Sequence, residues 1–141
     1  MYQKTTLNNG LRLITATIPH TRSVSICIFI GTGSRYETDV QAGISHFIEH
    51  LCFRGTPKRP TASDISTAIE GLGGILNGGT DKELSVYWCK VARPHFHPAL
   101  EVLTDMILNP KFDPADIEKE RQVIIEEINM SNDAPPQRVA I

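Results

Sequence analysis

The sequence predicts an α+β domain, a largely antiparallel sheet packed by helices. Three observations predict it. Short runs that alternate apolar with polar residues are bounded by turn-forming Asn, Gly and Pro; longer runs carry apolar residues at helical spacing; and the two kinds follow one another in the grouped order β-β-β-α-α-β-β-α-α. The 141 residues, 40% hydrophobic and 21% charged, suffice for one core and contain no internal repeat or low-complexity tract. A single domain over residues 1–141 is therefore expected.

The elements follow in order. Thr5-Thr6-Leu7 runs into a turn at Asn8-Asn9-Gly10 and LRLITATI returns, which reads as a hairpin. In SVSICIFIGTG, Val24, Ile26, Ile28 and Ile30 alternate with Ser25, Cys27 and Phe29. Because the second face is also mostly apolar, a central strand covered on both sides is expected. Residues 42–54 form a helix that bears HFIEH. RGTPKRP, 54–60, is a turn-rich basic connector, after which Thr61 caps a helix ending near Gly71, Gly73 and Gly74. ILNGGT leads into ELSVYWCKVA, rich in β-formers around Val86, Tyr87 and Trp88. HPALEVLTDMILN has helical apolar spacing and is closed by Asn109-Pro110. Asp113-Pro114 then opens another helix, with a capping aspartate and a proline at the first helical position, that runs to about Met130. Beyond it, Asp133 and Pro135 announce a helix that has barely begun by Ile141, so a domain cut short is expected.

Composition excludes several classes. The net charge is −2, from 14 basic and 16 acidic residues spread along the chain, so there is no basic stripe for a phosphate backbone and no nucleic-acid partner is expected. No segment approaches the roughly 20 apolar residues that span a bilayer, and the N-terminus has no signal-peptide pattern. A soluble, cytoplasmic protein without a membrane partner is the expectation. Cys27, Cys52 and Cys89 show no CxxC spacing and are read as buried free thiols.

HFIEH, residues 46–50, carries the chemistry. At about 100° per residue, His50 falls roughly 40° from His46 and Glu49 roughly −60°, so all three share one arc. Phe47, Leu51, Ile44, Ile48 and Cys52 fill the other directions, which predicts a helix buried nearly all round whose polar arc faces something polar inside the protein. Two imidazoles one turn apart can converge on one zinc ion. Glu49 projects from the same side and can take a proton from water activated by the metal without being a ligand. The alternative is a hydrogen-bonded pair of core histidines. His95 and His97, two residues apart, diverge by about 200° on a helix and cannot share an ion, and His20 sits beside Pro19 in a loop.

A third ligand is sought on DPADIEKERQVIIEEINM. With Glu120 at zero, Glu127 falls near about −20°, between Ile124, Ile117 and Ile128 on one side and Val123 and Met130 on the other. Both carboxylates therefore sit within the apolar stripe, while Glu118 and Glu126 point away and are read as solvated. Buried carboxylates need compensation, from a divalent cation or from a salt bridge to an arginine. Which acid ligates and which supports is left open by this geometry.

HFIEH, the LCFRGTPKRP that follows, GGILNGGTDKELSVYWCKV and ERQVIIEEI together resemble the inverted-zincin metallopeptidases of the pitrilysin and insulinase type, in the processing-peptidase branch. The resemblance covers nearly the whole chain. It implies that His46, His50 and Glu127 bind one zinc, that Glu49 is the catalytic base, and that Glu120 orients a ligand histidine. It also implies that Asn77 and Gly78 match an Asn-Ala pair whose strand receives the peptide substrate as an added β-strand; Gly78 and Gly79 depart from the residues usual there. Members of the family have two homologous halves, so a second domain or subunit is implied as partner. The expected activity is zinc-dependent endopeptidase hydrolysis of peptides or short unfolded segments. The competing class is a non-catalytic peptide-binding or assembly subunit of the same fold, against which the intact HFIEH argues.

Overall fold

The protein's structure, a computed structural model, describes residues 2–133. Strands β1 (Tyr2–Thr6) and β2 (Arg12–Ala16) form the expected hairpin, with Tyr2 opposite Ala16 and Thr6 opposite Arg12. It stands as a separate two-stranded sheet with every strand residue exposed. The second sheet holds β3 (Ser23–Ile30), β4 (Ile75–Thr80) and β5 (Ser85–Ala92) in the order β3-β5-β4, all pairs antiparallel. Four helices complete the fold: α1 (Ile44–Cys52), α2 (Ala62–Glu70), α3 (Phe96–Leu108) and α4 (Pro114–Asp133). The α+β class and the order of strands and helices agree with the sequence pattern.

One face of the second sheet meets the helices. Ile65 and Ile69 of α2, Tyr87, Cys89 and Val91 of β5, and Ala99, Val102, Leu103 and Met106 of α3 form the core, with Val24, Ile26, Ile28 and Ile30 packed against it. The period of two in β3 and β5 puts these residues on one side. Turn chemistry also behaves as its residue types dictate: Thr61 and Asp64 form a reciprocal capping box on α2, and the Asp113 side chain accepts the Ala115 N–H at the start of α4.

Five expectations are corrected. β5 is the central strand and β3 an edge; Phe29 is 66% exposed, so the outer face of β3 is open among the described residues. Cys27 lies on that face and is exposed, whereas Cys52 and Cys89 are buried. Burial pushes the Cys52 thiol up and raises Cys89 to about 11, which keeps both as inert thiols. Helix α1 is not enclosed on all sides, because Ile44 and Ile48 are exposed among the described residues. Helix α4 packs on α1 through its first half, and residues 125–133 are all exposed. Asp133 belongs to α4 and does not precede a new helix as its cap; Pro135 and the rest of that expected helix lie outside the described residues.

Candidate metal centre

Helix α1, which carries HFIEH, is fixed at its N-terminal end. At its start Gly43 takes a left-handed conformation, φ +88°, which a side chain would resist. The carboxylate of Glu37 accepts the N–H groups of Gly43 (2.7 Å) and Ser45 (2.8 Å), satisfying donors that a helix N-terminus leaves free. These bonds, Ser45 foremost, hold the Glu37 carboxyl below its ordinary value. Glu37 is itself anchored: the backbone N–H groups of Ser34 and Arg35 donate to the carbonyls of Asp81 and Lys82 in the β4–β5 turn. The same sheet therefore places both α1 and the strand beside it.

On α1 the Nε2 atoms of His46 and His50 face each other at 3.0 Å, their rings nearly perpendicular. Glu127 reaches across from α4, its Oε2 3.7 Å from each nitrogen. The point equidistant from the three atoms lies about 2.0 Å from each, which matches the roughly 2.0–2.2 Å of zinc bonds to imidazole and carboxylate. The donor chemistry fits as well. His50 Nδ1 lies 2.9 Å from Oε2 of Glu120; when that nitrogen donates its proton to the carboxylate, a neutral ring presents its lone pair at Nε2. Two lone pairs at 3.0 Å need a shared cation or a shared proton between them. The residues present thus suit a zinc ion.

The expected site residues are brought together, with differences of depth. Glu120 is 1% exposed, whereas the side chain of Glu127 is 46% exposed, so only the first sits on the buried part of the α4 stripe. Glu120 also meets the arginine alternative: its other oxygen, Oε1, pairs with Nη2 of Arg54. Glu49 is 8% exposed and turned away from the histidine pair's shared focus toward β4, where Thr80 Oγ1 donates to its Oε2 over 2.6 Å. Thr80 is in turn 3.3 Å from Ser85 Oγ, which donates to the Thr32 carbonyl. Among the described residues, His20, His95 and His97 join no group of metal donors.

Asn77 and Gly78 lie on β4, an edge strand. The N–H of Gly78 donates to the side chain of Asn77 at 2.8 Å, so this donor is met by a side chain and not by a neighbouring strand. A Cβ at Gly78 would come 2.9 Å from the Phe53 ring and 3.1 Å from Glu49 Oε1, which explains the bare position: β4 passes close to the catalytic candidate. An open cavity of about 310 Å³ lies here, lined by Glu49, His50, Phe53, Asn77 and Gly78 among others.

Thr80, Arg54 and Glu37 did not stand out in the sequence. Thr80 had a usable signal, since residues two apart on a strand share a face and Gly78 was already a candidate. Arg54 and Glu37 had none, because their partners lie far off in sequence or on another element.

Residues 12–141 match the pattern of the family described as Insulinase (Peptidase family M16). The chain is 43% identical over 135 residues to the uncharacterized zinc protease YmxG of Bacillus subtilis, covering 96% of this chain and 33% of that protein. It is 42% identical over 123 residues to the mitochondrial-processing peptidase subunit beta of Dictyostelium discoideum, covering 87% of this chain and 26% of the relative. The fold superposes on a protease from Helicobacter pylori with a TM-score of 0.91 at 24% identity, over 98% of this chain and 33% of the other. The chain thus spans between about a quarter and a third of the length of these relatives.

Proposed function

Because the chain belongs to the insulinase family, peptidase family M16, we propose that it is the active-site part of a zinc endopeptidase acting on peptides or short unfolded segments in extended form. One observation carries the reading. Three donors of the kinds zinc takes converge, while the carboxylate of Glu49 stands beside them bonded to Thr80 and outside the donor group.

His46, His50 and Glu127 would hold the ion, with Glu120 keeping His50 oriented. Zinc supplies a Lewis acid that acidifies water and polarises a peptide carbonyl. Glu49 removes a proton from water at the site and later delivers it to the leaving amine. Its burial and the Thr80 bond keep the carboxylate in one place for both transfers. The substrate backbone adds to the open edge of β4, where an entering carbonyl replaces the Asn77 side chain at the Gly78 N–H. The length of the relatives, and the word subunit in the name of one, support a second homologous domain or subunit as partner.

Metal analysis after dialysis should find about one zinc per chain. Glu49→Gln should keep that zinc and lose hydrolysis of an extended fluorogenic peptide by a factor of about 100 or more in any preparation where the parent protein cleaves it. A folded, zinc-free sample would remove the metal reading; retained turnover would remove Glu49 from the mechanism.

A further inference from the structure

We infer that Arg54 is a positioning residue for His50, acting through Glu120; this rests on the reading of His50 as a metal ligand. Glu120 is almost completely buried, at 1% exposure, and its two oxygens have different partners. Oε2 takes the Nδ1 side of His50 at 2.9 Å. Oε1 accepts no hydrogen bond among the described residues, and its charge is met by an ion pair with Nη2 of Arg54.

A neutral imidazole offers a hydrogen bond but no countercharge, and a buried carboxylate without countercharge is costly. Arg54 therefore makes the burial of Glu120 tenable. It is well placed for this: its backbone N–H donates to the Leu51 carbonyl at the end of α1, and its side chain, 35% exposed, runs from the surface inward to the carboxylate. Without the guanidinium, the carboxylate turns toward water and His50 Nδ1 loses its acceptor. The ring is then free to rotate, and Nε2 leaves the focus it shares with His46 and Glu127. The planar guanidinium suits a carboxylate better than a lysine ammonium does.

The sign of the effect separates positioning from simple charge. By Coulomb attraction and repulsion alone, removing a cation near a bound dication tightens metal binding. Positioning predicts the opposite. The test measures zinc affinity of this chain by competition with a chelator, for the parent, Arg54→Met, Arg54→Lys, Glu120→Gln and the double variant Arg54→Met/Glu120→Gln. Arg54→Met and Glu120→Gln should each weaken binding about 10- to 100-fold. The double variant should bind no more weakly than Glu120→Gln, and Arg54→Lys should recover part of the loss. In metal-free protein, long-range ¹H–¹⁵N spectra should show His50 protonated at Nδ1 in the parent and a mixture of tautomers in Arg54→Met. Folded Arg54→Met with parental or tighter zinc affinity and an unchanged tautomer would overturn the proposal. If Arg54→Met fails to fold, Arg54→Lys decides: parental affinity and tautomer in a variant with the poorer fork geometry overturn it, a partial loss supports it. A parent chain that binds no zinc would overturn the metal reading, while the tautomer comparison still reads the action of Arg54 on His50.

Discussion

The hydroxyl of Thr80 donates to Oε2 of Glu49 over 2.6 Å, joining strand β4 to the carboxylate that lies between the two candidate ligand histidines in sequence. A hydrogen bond to a charged group contributes about 1.5–3 kcal/mol. Thr80→Val keeps the shape and removes the donor, so kcat should fall roughly 10- to 100-fold with zinc content and KM little changed. Thr80→Ser should retain most of the activity. Steady-state kinetics beside metal analysis checks both.

Glu127 and Glu126 are neighbours on α4, but only Glu127 reaches the histidine pair, at 3.7 Å from each Nε2. Glu127→Gln should weaken zinc binding about 100-fold or more, beyond what loss of an outer partner costs. Glu126→Gln should leave it within about twofold. Chelator competition reads the difference, and equal effects would show that α4 is turned otherwise on α1.

Acid should loosen α1 through Glu37. Its folded pKa lies below the ordinary 4.5 because the N–H groups of Ser45 and Gly43 bind the charged form. The stabilisation is therefore complete above about pH 4.5 and is lost as pH falls through the lower folded value. Glu37→Gln should lower stability by about 1 kcal/mol at pH 7, the scale of a lost helix cap. The gap from the parent should close below pH 4.5 in urea denaturation curves.

The isolated chain should cleave peptides poorly even when loaded with zinc. A metal and a base supply part of the barrier reduction, while substrate positioning and oxyanion stabilisation contribute several kcal/mol more. The open edge of β4 and a cavity open to solvent leave an incoming strand unclosed. Assaying this chain alone and joined to the remainder of a relative's architecture should show a gain of about 100-fold or more for the joined form.

Much of this was legible from residue spacing, and the misses share a cause. The helical phase put His46, Glu49 and His50 on one arc and Glu120 beside Glu127, and the structure brings all five to one place. Phase gives direction around a helix, though, and not depth along it. Glu120 lies under α1 and Glu127 near the rim, so one is sealed and the other half exposed. Strand β3 was read as central because Cys27 and Phe29 make its second face apolar, but an apolar residue reports what could be covered, not what is. The partners of Thr80 and Arg54 lie 31 and 66 residues away, on other elements, so strand spacing can point to Thr80 but not to what it bonds, and nothing in the spacing points to Arg54.

Two of the three candidate ligands are locked to one short, capped helix, whereas the third stands on the outer half of α4, exposed among the described residues. In the proposed site, Glu127 is the most exposed of the three ligands, at 46% against 42% for His46 and 18% for His50. A partner that covers residues 125–133 should therefore lengthen the time a chelator needs to strip zinc from the proposed site, because Glu127 lies in that stretch.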